Sequence, residues 1–504
     1  MSPPALRQRT ESLPVLRGGL RWAVAALTLA GASAQAAVFY VDPLAGDMAG
    51  DGSATHPWRT LQEVFEHDLI ESYAPAGHPH EYGDPLVVKN PGAPVKAGDT
   101  IKLRTGYHGR IDAVEYYNQD YITIEAEAGH TPTVASVELR SVSKWIVRGL
   151  TISPSFADPF ENTTLLQFAS HGWTGPSYDC IVEGCTLYSE WDTSAWTSDD
   201  WNERSCNGIS LPGDHMVARD NYLKNTDFAI SVSGDHALVE GNVIENFSGD
   251  GMRGLGDHGV FQYNTVKNLY LVNSNHPDGF QSWSVGEDGV GSGVVTGIVL
   301  RGNTFLNFED PDQPFRGSLQ GIGCFDGMFA GWIVENNVVI TDHWHGITLS
   351  GATDSRVVNN TVVDIDEGSP GPPWIRVADH KDGTPSARCV VRNNLATDFS
   401  VSGDGMLLDH NIEIDLGVQS YDDFFLGYAA RDLHLRPGSP AIDAGSAELA
   451  PDVDRDGVPR PAGAAHDIGA YEFLPDLPQL SVSDATVVET DTGTVATFTV
   501  TLSE

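Results

Sequence analysis

The chain has 504 residues, of which 69 are acidic and only 29 are lysine or arginine, so its formal net charge is −40 at pH 7. A surface this negative argues against nucleic acid as a partner, because phosphate binding needs clustered lysine and arginine. The negative net charge is compatible with a neutral ligand. It is also compatible with an anionic ligand that binds a local basic patch or is bridged by divalent cations.

The first 36 residues have the pattern of an export signal. Four arginines between positions 7 and 21 precede an apolar stretch over 22–30, and Ala34-Gln35-Ala36 has the small-x-small form of a signal-peptidase site. We therefore predict a signal peptide over 1–36 and a secreted, extracellular protein. A membrane anchor is less favoured, since the apolar stretch is shorter than the roughly 20 residues that span a bilayer.

Residues 37–133 are predicted to hold an N-terminal cap and the first coils of a repeating β structure. The alternation of the first coils runs over 101–152, where the segments 122–125 (ITIE) and 145–148 (WIVR) alternate apolar and polar residues as strands do. A stack of coils needs a cap, because an open end would expose the core and unpaired strand edges.

Eight asparagines mark a repeat that runs over the middle of the chain. Each follows an apolar pair, a turn and a run rich in valine or leucine; they are Asn221, Asn242, Asn264, Asn303, Asn337, Asn360, Asn394 and Asn411. A period near 22 residues, stretched by inserted loops, predicts an all-β solenoid of stacked parallel strands over 134–432. We expect the asparagines to occupy left-handed bends and to bond one another along the axis. An array of antiparallel hairpins or propeller blades would need a period of roughly 40 or more.

Aligning the coils on their apolar pairs predicts two columns of side chains on neighbouring strands. The first column runs through Asn207, Phe228, Asp250, Asp278, Gln320, His345, Pro373 and Asp404. The second runs through Ser210, Ser231, Arg253, Gln281, Gly323, Thr348, Arg376 and Leu407. Because adjacent coils lie about 4.8 Å apart, acidic, basic and cationic groups should cluster on one face.

The segment 275–281 (NHPDGFQ) is the densest part of this predicted cluster. It places a proton carrier, His276, beside the carboxylate of Asp278 at the entrance of a strand. We predict six catalytic residues: His276, Asp278, Arg253, Asp250, His345 and Lys381. Sugar-binding side chains are predicted at Gln281, Trp283, Arg316, Gln320, His343, Trp344, Trp374, Arg376 and His380. For single members, turn capping or surface ion pairing is the competing interpretation.

Two further patterns favour structural roles. Gly-Asp-His recurs at 213–215, 234–236 and 256–258, which indicates a repeated turn, with metal binding by the stacked side chains as the less favoured alternative. The five cysteines lack a close CxxC pair, and we expect buried apolar residues rather than a disulfide frame.

The repeats stop at the closing segment, predicted over 433–476. Within it, Asp452, Asp454 and Asp456 stand at alternate positions before Gly457, a spacing that suits Ca²⁺. An acidic solvated turn is the alternative. Residues 477–504 alternate like the strands of a sandwich, and resemble the start of a Calx-β module that is too short to be complete.

The opening motifs at 40–43 (YVDP), 50–53 (GDGS) and 57–62 (PWRTLQ), and the closing motifs at 439–445 (SPAIDAG) and 467–472 (DIGAYE), carry a family resemblance. They resemble secreted right-handed parallel β-helix proteins of the pectate-lyase-like superfamily. That resemblance implies an amphipathic helix that plugs the start of the stack. It also implies a carbohydrate substrate, since the superfamily includes polysaccharide lyases, uronan C5-epimerases and glycoside hydrolases.

The leading hypothesis is a monomeric polysaccharide lyase that cleaves a uronic-acid-containing polymer by β-elimination. An arginine, or bound Ca²⁺, would neutralise the uronate carboxylate, and a histidine or lysine would take the C5 proton. The alternatives are a glycoside hydrolase that uses Asp250 and Asp278, a C5-epimerase, and a non-catalytic glycan-binding surface protein.

Overall fold

The computed structural model describes residues 36–366, 369–474, 480–482 and 500–502. Over this part the chain forms an all-β right-handed parallel β-helix, as the repeat predicts. The predicted signal peptide, apart from Ala36, and most of the predicted Calx-β-like tail lie outside the described residues. Within those residues, no helix is long and apolar enough to cross a membrane.

Each coil contributes one strand to each of three faces, which we call front, middle and rear in the order that the chain visits them. The front face is formed by parts of Ile111–Ala126 and Val137–Arg148, followed by Leu166–Ala169, Ile209–Leu211, Ile230–Val232, Met252–Gly254, Asp278–Trp283, Gln320–Asp326, His345–Ser350, Trp374–Ala378 and Phe399–Val401. The middle face begins with Val38–Val41, Thr100–Leu103 and the later parts of the two long strands. It continues with Ile181–Glu183, Val217–Arg219, Leu238–Glu240, Val260–Gln262, Val299–Arg301, Ile333–Glu335, Arg356–Val358, Val390–Arg392 and Leu407–Asp409.

The rear face is a separate sheet of short parallel strands. Its members are Gly106–Tyr107, Pro132–Val134, Thr151–Ile152, Thr186–Tyr188, Tyr222–Thr226, Val243–Phe247, Thr265–Leu269, Thr304–Leu306, Val338–Ile340, Thr361–Val363, Leu395–Ala396 and Ile412–Glu413. Inward-facing Val, Ile, Leu and Phe side chains from all three faces form one continuous core. No coil could bury this surface alone, so each coil depends on its neighbours.

The asparagine repeat forms an unbroken ladder at the turn between the middle and rear faces. Each side-chain amide donates to the Oδ1 atom of the next asparagine at 2.9–3.0 Å, from Asn221 through to Asn411. The predicted ladder is confirmed, but the backbone assignment is wrong by one position. The left-handed residue is the one before each ladder asparagine, such as Tyr263 or Asn336, and the ladder residue itself directly precedes the rear strand.

Paired asparagines in three coils have divided roles. In each pair the second residue enters the ladder, while the first holds the closing segment: Asn336 donates to the Val453 carbonyl, Asn359 to that of Asp467 and Asn393 to that of Ser446. The closing segment also buries an ion pair between Arg460 and Glu472, whose side chains are both fully buried. It therefore lies along three successive coils.

The middle face carries a column of alternating charges on its outer side. Glu183 accepts from both Arg148 and Arg219, and Glu335 accepts from both Arg301 and Arg356. Arg392 pairs with Asp409 in the same register. Most outward arginines of this face are thus neutralised by a carboxylate on a neighbouring strand.

Short elements cover the start and the loops of the stack. The helix Leu61–Glu66 begins at Thr60, whose side chain caps it, and buries Leu61, Val64 and Phe65 in the core, as expected of a plug. A second helix, Ser198–Arg204, and 3₁₀ turns at Pro154–Phe156, Tyr421–Asp423 and Tyr428–Ala430 lie in loops. The five cysteines are all free and buried, which confirms the prediction for them.

Antiparallel pairs join Ser72–Pro75 with Leu86–Lys89, Val285–Gly286 with Gly289–Val290, Phe425–Gly427 with Asp432–Leu435, and Leu480–Val482 with Val500–Leu502. A small parallel sheet joins Val294–Thr296, Met328–Ala330 and Ala352–Thr353.

Candidate functional site

The front face brings the predicted charged residues onto consecutive strands. Arg253 is in register with Gln281, Gln281 with Gly323, Gly323 with Thr348, and Thr348 with Arg376. Asp278 is in register with Gln320 on the next strand. The predicted column from Arg253 to Arg376 is confirmed, and its side chains lie on one outer face. In the other column His345 is in register with Trp374 rather than with the predicted Pro373, because the register shifts between His345 and Ile347.

The last coil departs from the predicted columns. On the next strand, Arg376 is in register with Ser400 rather than with Leu407. Leu407 belongs to the middle face and pairs with Val390. Asp404 lies at the turn before that middle strand, where its backbone pairs with Ala387. The predicted column places Leu407 on the front face, but the short strand Phe399–Val401 takes that place.

Asp250 holds Arg253 in place. The buried carboxylate of Asp250 accepts a hydrogen bond from Arg253 Nε at 2.6 Å and another from the Asp278 backbone N–H at 3.0 Å. The guanidinium also lies over the ring of Phe228, 3.6 Å from its centroid, and 5.5 Å from that of Trp283. Because Nε is bonded to Asp250 and the guanidinium lies over Phe228, the terminal N–H groups of Arg253 have a fixed orientation.

Asp278 is fully buried and organises the opposite side of the same site. Its Oδ2 atom accepts from Gln281 Nε2 at 2.8 Å and lies 3.5 Å from His276 Nδ1. Its Oδ1 atom is buried without a hydrogen-bond partner and occupies the space above Gly323, where a Cβ atom would stand 1.9 Å away. His276, by contrast, is 64% exposed, so the pair couples a buried carboxylate to an accessible imidazole.

Burial dominates the electrostatics of these groups. Burial, reinforced by the nearby Asp250, raises the pKa of Asp278 to about 8. Burial also raises the pKa of Asp250, against the opposing attraction of Arg253. The Asp278 carboxylate raises the pKa of His276. Asp278 therefore holds its proton to a higher pH than an exposed aspartic acid does, and His276 to a higher pH than an exposed histidine.

Arg253, His276 and Gln281 open onto a common cavity of about 260 Å³. Trp283, Phe325 and Asp326 form its other walls. Lys381 pairs with Asp326, which places the predicted lysine at the rim rather than beside His276. Phe228, Gly323, Phe325 and Asp326 were not predicted as site residues, although the first two stand in the aligned columns.

A second cluster lies further along the front face and contains His343, Trp344, His345, Trp374 and Arg376. His345 Nδ1 accepts from Trp374 Nε1 at 3.2 Å and lies 2.8 Å from Thr348 Oγ1. Burial lowers the pKa of His345 to about 4, and burial with the repulsion of His276 does the same to that of His343. Both rings are neutral near pH 7, so His345 acts as a hydrogen-bonding group here.

Three predicted sugar-binding residues belong neither to the cavity nor to the second cluster. Arg316 lies over the Phe308 ring and 3.8 Å from Asp366, in the loop before the strand Gln320–Asp326. Gln320 is buried, with its Oε1 atom unpaired. His380 is buried and pairs with Asp382 at 2.9 Å.

The predicted calcium ligands do not converge. Asp454 is buried, and its oxygens accept from the backbone N–H groups of Asp456, Val458 and Glu472, while the Asp456 side chain pairs with His434 and Arg455. Asp452 is exposed. Nowhere in the described ranges do three or more His, Cys, Asp or Glu side chains form a group suited to a metal ion. These residues do not fit Ca²⁺, because Asp454 already bonds backbone N–H groups of the turn and Asp456 pairs with His434 and Arg455.

The Gly-Asp-His repeat is a turn, as predicted. Each histidine is left-handed, and the rings of His215, His236 and His258 stack with centroids 5.2 and 5.0 Å apart. Asp214 accepts from the Asp235 backbone N–H at 2.9 Å, and Asp235 from that of Asp257 at 2.7 Å.

Comparisons with known proteins identify the fold. A family model described as "right handed beta helix region" matches residues 207–370. The structure of XylC in complex with xylose aligns with a TM-score of 0.52 at 9% identity, over 87% of this chain and 98% of that one. The pectate lyase Pel9A aligns at 0.45 and 13% identity, over 86% and 96% of the two chains.

The A-module of the Azotobacter vinelandii mannuronan C-5 epimerase AlgE4 aligns with a TM-score of 0.38 at 12% identity, over 63% of this chain and 91% of that one. No curated protein matches the sequence. At these identities the alignments show the fold alone.

Proposed function

We propose that the protein is an exported, monomeric polysaccharide lyase that cleaves a uronic-acid-containing polymer by β-elimination. The observation that carries this proposal is that Arg253 and His276 open onto one cavity while a buried carboxylate holds each of them. A fixed cation and an accessible proton acceptor are the two groups that abstraction of a proton next to a carboxylate requires.

In the proposed reaction Arg253 binds the uronate carboxylate through its terminal N–H groups. Its charge stabilises the negative charge that develops when the C5–H bond breaks. His276 accepts that proton at Nε2, while Asp278 orients the ring through Nδ1. The electron pair then forms the C4–C5 double bond, the C4–O bond breaks, and the proton returns to the departing oxygen.

The hydrolase alternative finds less support. Asp250 and Asp278 are 1% and 0% exposed, and their carboxylates bond Arg253 and Gln281 respectively. A carboxylate pair that protonates a glycosidic oxygen and activates water needs direct contact with both. The arrangement is better suited to two buried groups that position Arg253 and His276.

Sugar binding is supported by the aromatic side chains around the cavity. Trp283 forms one wall, and Trp344 is 46% exposed further along the front face. The XylC structure, which aligns with a TM-score of 0.52, is a complex with xylose. We therefore propose a carbohydrate polymer as the ligand.

The test is mass spectrometry of the products from a panel of alginate, pectate and glycosaminoglycan substrates, with and without added Ca²⁺. Elimination gives products with no added water and an ultraviolet-absorbing double bond. Products that have gained water would identify a hydrolase, and exchange of the C5 proton without cleavage would identify an epimerase. Unchanged polymers throughout the panel would refute the proposal.

A further inference from the structure

We propose that Arg376, with the rings of Trp344 and Trp374, forms a distal subsite that binds an acidic sugar of the same polymer chain. This inference rests on the proposed function in one respect, which is that the polymer reaching the cavity is anionic. It adds a second anion-binding point and a direction for the bound chain.

Arg376 differs from the arginines of the middle face in having no carboxylate partner. Its Nη1 atom donates to Ser400 Oγ at 2.6 Å, and its guanidinium lies 5.5 Å from the Trp374 ring centroid. Among residues 36–366 and 369–474 it makes no ion pair, whereas Arg301 and Arg392 each bind a carboxylate. In a chain with a net charge of −40, this guanidinium retains its charge and N–H donors for an external anion.

An aromatic platform lies beside this guanidinium. The rings of Trp344 and Trp374 are 6.4 Å apart at an interplanar angle of 24°, and the Trp374 ring is fixed by its hydrogen bond to His345. Because His345 is neutral near pH 7, the positive charge of the cluster belongs to Arg376. A flat apolar surface next to one fixed cation suits a sugar ring that carries a carboxylate or a sulfate.

The two anion-binding points have a defined separation. Arg253 and Arg376 occupy the same outward column, four strands apart, and strands spaced by about 4.8 Å place them about 19 Å apart along the axis. One strand spacing is comparable to one sugar unit of an extended polysaccharide. A chain lying along the axis would therefore meet both arginines across about four units.

The experiment measures equilibrium binding by calorimetry, without turnover, using the full chain with His276→Gln to prevent cleavage. The probes are polygalacturonate and the same polymer after carboxyl reduction, which is neutral, together with galacturonate oligomers of two and six units. The variants are Arg376→Gln, Arg376→Lys and Trp344→Ala. Arg388→Gln is the matched control, because Arg388 is exposed and pairs with Asp354 away from the column.

We expect Arg376→Gln to weaken polygalacturonate and hexamer binding about tenfold, to spare the dimer, and to leave the reduced polymer unaffected. Arg376→Lys should recover part of the loss. Trp344→Ala removes an exposed ring and should weaken binding of both polymers. This variant tests the subsite if Arg376→Gln fails to fold.

Equal affinities for Arg376→Gln and Arg388→Gln would overturn the inference, as would a loss of the same size for the reduced polymer, or no polymer binding at all. Charge-dependent binding through Arg376 in a protein that cleaves nothing would refute the lyase proposal and leave the subsite standing.

Discussion

The Oδ1 atom of Asp278 lies where the side chain of residue 323 would begin, and only the glycine at that position makes room for it. We expect Gly323→Ala to displace Asp278, since the new Cβ would stand 1.9 Å from Oδ1. Overpacking of this kind costs about 1–3 kcal/mol of unfolding free energy. Activity should fall more steeply, because His276 and Gln281 both depend on Asp278. Urea unfolding and initial rates measure the two effects.

Gly172→Ala is the control for that substitution, because a Cβ there meets nothing within 4 Å. Equal rates for both variants would show that the position of Asp278 does not matter for turnover.

Asp278→Asn should change the pH dependence of both stability and rate. The folded state retains a proton on Asp278 up to a pKa of about 8 that the unfolded state has already lost, so the wild-type free energy of unfolding should fall as the pH rises from about 4 to about 8. The asparagine variant should lose that slope. It should also lower the pKa of His276, which shifts the acidic limb of the rate profile to lower pH. Denaturant titrations and pH–rate profiles would check this, and parallel profiles for both proteins would contradict it.

Arg253 should tolerate no conservative replacement. Arg253→Lys keeps the charge but loses the Nε bond to Asp250, the stack on Phe228 and the planar pair of terminal N–H groups. We expect kcat/KM to fall about 10²-fold, with a similar or larger loss for His276→Gln. Arg388→Gln provides the surface control. If Arg253→Lys retained full activity, the cation would not bind the substrate through a fixed pair of N–H groups.

Asn264 lies in the middle of the asparagine ladder. Asn264→Ala removes a bond to Asn303 and one to the Val239 carbonyl, and leaves the Asn242 N–H groups without their acceptor. Several buried groups lose their partners, so we expect a loss of about 3 kcal/mol in urea unfolding. The same change at Asn411, the half-exposed last member, should cost about 1 kcal/mol because water replaces the lost bonds. Equal losses at both positions would contradict this account.

The sequence predicts the repeat well because a ladder needs the same side chain in every coil. Asn221 to Asn411 therefore stand out despite inserted loops, and the column that contains Arg253 and Gln281 follows from aligning the apolar pairs of the same coils. The alignment fails at Ser400, whose strand is short and only weakly apolar.

Composition alone cannot show that Asp250 and Asp278 are buried, since burial depends on loops folded over them. The spacing of Asp452, Asp454 and Asp456 predicts metal ligands, but the Asp454 oxygens accept from backbone N–H groups and Asp456 pairs with His434 and Arg455, contacts that the spacing does not reveal.

The three asparagine pairs have a consequence for how the stack comes apart. A solenoid held by nearest-neighbour contacts frays from its ends one coil at a time. Here Asn336, Asn359 and Asn393 fasten the closing segment across three coils. The last coil cannot separate until the closing segment loses its bonds to all three asparagines. The C-terminal coils should therefore unfold together as one cooperative block.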